Sequence, residues 1–338
     1  MRLLFIGGTG LISSACSELA LARGHELFVL NRGLSPKYPL PQAATLLKGD
    51  IRAESLELDR LLAGLHFDAA VDFIAFDEKD IDRDLLMLRD RTDQFVFISS
   101  ASAYQKPPKA YLITETTPLE NPFWPYSRGK IAAEQRLMHA FHAQGFPATI
   151  VRPSLTYGPA QIPFCVGSWE HPWTVIDRMR RGRKIIVPGD GTSLWVLTWN
   201  ADFARGLLGL LGNAKSIGET YQITSDEVLT WDQIFLEAFN LLGVPPNLVH
   251  VSSDLIAAYW PHAGGSLIGD KMHSVVFDNA KIKHLVPDYV CDVSWHTGLR
   301  RALDWHEAHP EFQTIDRELD GIMDDILTGY ERALPRGR

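Results

Sequence analysis

Short apolar runs alternate with longer amphipathic stretches through the first half of the chain. Leu3–Ile6, Glu26–Leu30, Thr45–Lys48, Ala69–Ile74, Phe95–Ser99 and Ala148–Arg152 predict strands. Leu11–Arg23, Asp80–Arg91 and Ser127–His142 predict helices, the first with small and apolar residues along one face. Strands that read as unbroken apolar runs are buried on both faces, as in parallel sheets. Separated by helices of this length, they specify right-handed βαβ units and an α/β fold with a doubly wound parallel sheet.

After Pro153 the pattern loosens. Helices are predicted at Thr174–Arg181, Asn200–Leu211 and Trp231–Leu242, with short strands at Ile185–Val187, Tyr221–Ile223 and Leu248–Val251. Trp295–Ala308 and Ile315–Leu334 read as closing helices. The chain thus divides into a dinucleotide-binding unit, residues 1–160, with strands returning to it from later in the chain, and a smaller α/β substrate lobe with closing helices, residues 161–338. The lobe is expected over the carboxyl ends of the strands, where such sheets bind ligands.

Composition narrows the function. The 338 residues are 46% hydrophobic, ample for a large core. Net charge is −8, and the one short basic run is Arg178–Lys184, which argues against a nucleic-acid partner. No apolar run approaches the roughly 20 residues of a membrane span. Cys16, Cys165 and Cys291 are an odd number, widely spaced, with no metal-ligand spacing. A cytoplasmic protein without a resident metal is expected. His306 and His309, in Trp305-His306-Glu307-Ala308-His309-Pro310, lack a third ligand and read as a solvated helix end.

Gly7-Gly8-Thr9-Gly10-Leu11-Ile12-Ser13 follows the first strand and opens a helix. Glycines there permit a tight turn and close backbone approach to a pyrophosphate, which then meets the free N–H groups of the helix N-terminus. This placement makes the fold Rossmann-type and the cofactor NAD(P). The second strand ends at Asn31-Arg32, where an acidic residue would mark NAD. A guanidinium beside Asn31 suits a 2′-phosphate and favours NADP, although a solvated loop arginine fits the same letters. Asp50 and Ile51, after the third strand, stand where an adenine edge would lie; a plain turn is the alternative.

Tyr126 and Lys130, in Tyr126-Ser127-Arg128-Gly129-Lys130, are four apart at the start of a helix and share a face. A phenol titrates near ~10, and a neighbouring ammonium favours its phenolate. Ser100 ends the fifth strand, where its hydroxyl can hold a substrate oxygen while Tyr126 moves a proton. Alone, a Tyr–Lys spacing describes a surface pair. Beside the glycine loop, the strand-end serines and Pro153, it describes an acid–base device.

With these residues in place, the chain resembles the extended short-chain dehydrogenases/reductases, the NAD-dependent epimerase/dehydratase group. The resemblance is carried by Gly7-Gly8-Thr9-Gly10, Gly49-Asp50-Ile51, Phe97-Ile98-Ser99-Ser100, Tyr126 to Lys130, Arg152-Pro153-Ser154 and Tyr157-Gly158-Pro159. It continues in Asn200-Ala201-Asp202-Phe203-Ala204, Gly218 to Ile223 and Asp278-Asn279-Ala280-Lys281. It implies that Tyr126 is the catalytic acid/base and that Lys130 lowers its pKa and binds the nicotinamide ribose. It further implies that Ser100 polarises the substrate oxygen and that Ala75, Ser99, Pro153 and Ser154 border the cofactor. Hydride transfer at a secondary alcohol or ketone of a sugar, by an epimerase or ketoreductase, follows from the resemblance. A homodimer through the Tyr126 helix and its neighbour is implied by analogy.

The nucleotide-sugar members carry an arginine before the Asn200–Asp202 equivalent and another before the Gly269-Asp270 equivalent. Here those stretches read Ser193 to Trp199 and Ser266-Leu267-Ile268, without arginine. Arg178, Arg180, Arg181 and Arg183 offer a substitute, or a solvated cationic face. Aromatics accompany the loss. Trp169, His171, Trp173 and Trp195, with Ser102 and Tyr104 nearer the centre, are expected to face the substrate, with lobe packing as the alternative for each Trp. A substrate with less phosphate is expected, a free or glycosidic sugar or a nucleoside-like compound. Ala101-Ser102 after Ser100, in place of an acidic pair, disfavours dehydration. The competing functions are an NADP-holding regulator without turnover and an RNA-binding relative, the latter opposed by the charge and the intact Tyr–Lys pair.

Overall fold

The computed structural model describes residues 1–53 and 55–335. Its centre is a parallel sheet of seven strands: β1 (Arg2–Ile6), β2 (Glu26–Asn31), β3 (Thr45–Lys48), β4 (Ala69–Asp72), β5 (Phe95–Ile98), β6 (Ala148–Pro153) and β7 (Thr220–Ile223). They lie in the order β7-β6-β5-β4-β1-β2-β3. The chain winds outward through β1, β2 and β3, then restarts on the other side of β1 at β4. A crevice opens where the winding reverses, beyond the carboxyl ends of the strands.

Alternate residues of each strand enter different layers. Leu3 and Phe5 pack with helices α1 (Leu11–Ala22) and α5 (Asn200–Leu210); Leu4 and Ile6 pack with α2 (Glu78–Met87) and α3 (Pro125–Gln144). Burial on both faces is why these strands are unbroken apolar runs. Helix α3 begins with Pro125 at its first turn and ends on Gly145 at φ 68°, the proline and glycine positions that suit a helix start and stop.

The lobe has its own core around Trp231, Phe235, Trp295 and Met323. It holds α4 (Trp173–Arg180), α6 (Trp231–Leu242), α7 (Trp295–Ala308) and α8 (Arg317–Ala333), with strand Ile185–Pro188 paired in parallel to Leu248–Val251. Strand β7 leaves this stretch of sequence to pair with β6, and α5 packs against α1.

Several expectations are corrected here. Strand β4 ends at Asp72 rather than Ile74, because the Asp72 carboxylate accepts from the Ile74 and Ala75 amides at 2.5 and 2.8 Å and turns the chain. His306 is not solvated: it is fully buried and stacks on Trp173 at 5.1 Å. Of the basic run, Arg180, Arg181 and Arg183 do form a solvated face, each paired with a carboxylate, whereas Arg178 is not solvated. Arg178 is fully buried and binds Asp320 at 2.5 Å and Asp324 at 2.9 Å; Arg183 pairs with Asp324, and Arg180 with Glu307.

Candidate active site

A cleft of about 1360 Å³ opens between the sheet and the lobe. Its floor is the glycine turn. Gly7 has φ 81°, and a Cβ there would come within 2.6 Å of Ile74 Cγ2, so the turn demands glycine. Gly10 precedes α1 without a side chain to cap it, and the first N–H groups of a helix have no intrahelical acceptor. Leu11, Ile12 and Ser13 therefore present the positive end of α1 to the cleft. Ser13 replaces a third glycine: its hydroxyl donates to Gly7 O at 2.6 Å and accepts from Gly10 N at 2.8 Å. This cradle fits a pyrophosphate.

Helix α3 delivers Tyr126 and Lys130 to the same cleft. Gly129 explains how closely the helix passes: a Cβ there would lie 2.8 Å from Phe76 O. This approach seats Lys130 Nζ against two carbonyls, Ala75 O at 2.6 Å and Ile98 O at 2.8 Å. An ammonium has three hydrogens, so one remains for a ligand. Burial pulls the Lys130 pKa down to about 8, opposed by Asp72, Glu134 and Asp80. Tyr126 packs against Trp124, ring centroids 4.9 Å apart. Burial pushes its phenol up to about 12, while a hydrogen bond from Ser100 acts the other way. The phenol is thus protonated at neutral pH and ready to give a proton to a carbonyl oxygen.

Of the sequence-predicted residues, Gly7, Gly10, Leu11, Ile12, Ser99, Ser100, Ser102, Tyr126, Lys130, Pro153, Ser154, Trp169 and Trp195 line the cleft together. Others do not. Asn31 donates to Thr9 Oγ1 at 2.9 Å, a brace between the glycine turn and β2, and Arg32 beside it is exposed. Gly8 and Ala75 lie outside the lining: Gly8 O accepts from the buried Ser17, and Ala75 meets the site through its carbonyl, which accepts from Lys130. Asp50 accepts from Arg52 N in its own turn, and Ile51 is buried beside Leu30. Tyr104 is 1% exposed, its hydroxyl on Gln222 at 3.0 Å, and Trp173 is 3% exposed in the lobe core. Both are too deeply packed to meet a substrate. His171 Nδ1 contacts Thr314 Oγ1 at 2.7 Å.

Sequence reasoning missed other lining groups. Trp124, Asp270 and Lys271 stand at the lobe end of the cleft. Lys271 lies over the Trp124 ring at 5.4 Å, and burial lowers its pKa. Asp270 is bound by Lys106 at 2.9 Å. The Leu267–Lys271 segment is a π-helical turn, a form that recurs at functional sites. Glu170, Asp316 and Glu318 also line the cleft, and among the described residues no arginine does. Beneath Ser99, Glu134 accepts its hydroxyl at 2.5 Å and pairs with Arg152, again at 2.5 Å, buried on both sides. The Glu134 signal was visible as a charge on the inner face of α3, four residues after Lys130.

With this geometry established, comparison with known proteins is informative. The family model described as NAD dependent epimerase/dehydratase family matches residues 3–224. The Arabidopsis thaliana chloroplast stem-loop binding protein of 41 kDa b is 27% identical over 265 residues, 74% of this chain and 65% of that protein. The chain thus spans just under two thirds of that relative. The 2'-dehydrokanamycin reductase of Streptomyces kanamyceticus is 26% identical over 290 residues, 86% of this chain and 80% of that one. Among solved structures, the UDP-glucuronic acid 4-epimerase of Bacillus cereus, in complex with UDP-glucuronic acid and NAD, superposes with TM-score 0.73. It is 20% identical, over 91% of this chain and 99% of that one, a likeness of fold. The leaning to NADP finds no support in that neighbour, which was solved with NAD. The match over residues 3–224 covers the glycine turn, Tyr126 and Lys130 alike, and the chain belongs to the NAD-dependent epimerase/dehydratase family.

Proposed function

We propose that this chain is a nicotinamide-dependent reductase or epimerase acting on a ketone or secondary alcohol of a sugar-like substrate that carries little or no phosphate. One observation carries the reading: Tyr126, Lys130 and Ser100 border the same cleft as the uncapped start of α1. The glycine turn, the third Lys130 hydrogen and the Pro153–Ser154 edge would hold NAD(P), which would supply or take the hydride. Tyr126 gives its proton to the substrate oxygen as reduction proceeds and recovers it in the reverse direction. Ser100 donates a hydrogen bond to the same oxygen, and the Lys130 ammonium favours the phenolate left behind.

The substrate class is supported by charge. A sugar diphosphate needs cations, and beyond Lys130 the lining offers Lys271 beside Asp270, together with Glu170, Asp316 and Glu318. That balance suits a neutral or amino-bearing sugar. The Streptomyces kanamyceticus relative, whose name carries no nucleotide, supports the same direction.

The test is a substrate panel. Purified protein with NADH or NADPH is offered unphosphorylated keto sugars, amino-bearing keto sugars and UDP-sugars, and nicotinamide absorbance is followed. Turnover is expected with the first two groups. Tight calorimetric binding of a UDP-sugar would sink the substrate reading, and equal turnover by Tyr126→Phe would sink the acid–base reading. Arg32→Ala decides the dinucleotide: a selective loss of NADPH affinity is expected if Arg32 holds a 2′-phosphate, and no change if NAD is the partner. The outer faces of α2 and α3 are the surface we assign to a second copy, for which sedimentation should return a dimer.

A further inference from the structure

We propose that Ser102 and Ser127 are positioning residues that fix the direction of the Ser100 hydroxyl, making it an obligate hydrogen-bond donor to the cleft. The proposal rests on the reading of Tyr126 as acid/base, and it concerns two hydroxyls that reading does not use. Ser127 follows Tyr126 in α3 and is fully buried. Its hydroxyl donates to Ser102 Oγ at 2.8 Å. Ser102 Oγ in turn lies 2.9 Å from Ser100 Oγ.

A hydroxyl owns one hydrogen and two lone pairs. Ser102 is buried and accepts from Ser127, and Ser100 Oγ is the other hydroxyl within reach of its hydrogen among the described residues, so donating to Ser100 is the arrangement that leaves no buried hydrogen unpaired. Ser100 Oγ also accepts from the Ser102 backbone N–H at 3.2 Å. Both Ser100 lone pairs are then occupied, and its single hydrogen is all it can offer. That hydrogen is left for the cleft, which Tyr126 also lines, and donated toward the phenol it would favour the phenolate and oppose the upward effect of burial.

The chain of hydroxyls is anchored at its middle. Asn121, also buried, donates to Ser102 O at 2.9 Å and to Gly269 O at 2.7 Å. Its Oδ1 accepts from the Phe123 and Trp124 amides, both at 3.2 Å. Ser102 thus has little freedom to reorient, and polarity runs one way: Ser127 to Ser102 to Ser100 to the cleft. Without the Ser127 hydroxyl, Ser102 loses the donor that orients it, so Ser100 and Ser102 can exchange donor and acceptor roles and Ser100 can turn its hydrogen inward.

The test reads Tyr126 directly and needs no knowledge of the substrate. Protein labelled with carbon-13 at the tyrosine ζ position is titrated by NMR, with and without NAD⁺, and Tyr126→Phe assigns the resonance. Ser127→Ala and Ser102→Ala should each raise the Tyr126 midpoint by about half to one pH unit, the worth of one hydrogen bond. Ser127→Thr, which keeps the hydroxyl, should titrate like the parent. The double Ser102→Ala, Ser127→Ala variant should shift no further than Ser102→Ala alone, because both act through one chain. An unmoved midpoint in Ser127→Ala overturns the proposal, as does a Ser127→Thr midpoint displaced as far as that of Ser127→Ala. Failure of the acid–base reading would appear separately, as retained turnover in Tyr126→Phe.

Discussion

At the residue scale, Lys130 and Tyr126 titrate in opposite directions from the same cause. Burial disfavours the charged form of each, lowering the lysine to about 8 and raising the phenol to about 12. The lysine sets a window. Its ammonium is present below about pH 8 and lost above, so affinity for the dinucleotide should decline with an apparent pKa near 8, measured by fluorescence titration. Lys130→Met should flatten that dependence. The linkage to folding has a definite sign: between about 8 and the ordinary lysine value of 10.5 the unfolded chain binds more protons than the native one. This residue therefore makes stability rise with pH across that window, and urea titrations of Lys130→Met should lose the rise. Tyr126→Phe should lower kcat by roughly 10²- to 10⁴-fold with cofactor affinity unchanged. The Tyr126–Lys130 spacing was legible in sequence because helix geometry makes i and i+4 neighbours. The carbonyls that receive Lys130, those of Ala75 and Ile98, were not, since backbone acceptors leave no letter in the sequence.

At the element scale, α3 is the instrument of the site. It carries Tyr126, Ser127 and Lys130 on the cleft side, packs Gly129 against Phe76 O, and buries Glu134 beneath β5. Glu134 and Arg152 tie α3 to β6 in a setting where both side chains are at most 6% exposed. Removing one partner leaves the other charged and uncompensated. Glu134→Gln should cost about 3–5 kcal/mol of unfolding free energy by urea denaturation, and pairing it with Arg152→Met should recover part of that loss. The longer elements followed from periodicity: the predicted bounds of α6 and α7 coincide with those observed, and those of α3 differ by two residues at each end. The two-residue strands, such as Leu194–Trp195 with Leu229–Thr230, were not legible, because a pair so short has no period. Trp173 and Tyr104 misled for a related reason. An aromatic letter states its size and polarity, and only tertiary packing decides whether it faces a core or a ligand.

At the scale of the whole molecule, the cleft gathers residues from Gly7 to Ile322, so its two sides are joined by any ligand that fills it. A dinucleotide bound to the native state alone should raise stability by about 2.7 kcal/mol at a hundredfold excess over its Kd, a shift visible by calorimetry. Absence of any thermal shift with NADH and NADPH would count against the cleft as a cofactor site. That the sheet is parallel and doubly wound was readable from alternating elements, since crossover connections leave few topologies open; the order of its strands was not. The return of β7 to the edge of the sheet, after helices in the lobe, needed the structure to fix its neighbour as β6.

Arg178 carries one more consequence, in the order of chain synthesis. Its guanidinium is fully buried, and its carboxylate partners stand 142 and 146 residues further along the chain. A ribosome delivers Arg178 well before Asp320 and Asp324, and during that interval a charge destined for the interior has no counter-ion. The nascent lobe therefore cannot close over Arg178 at its native cost until α8 has emerged, whereas every strand of the central sheet is complete by Ile223. The lobe side of the cleft thus depends on a helix that follows, in the chain, all seven strands that carry its floor.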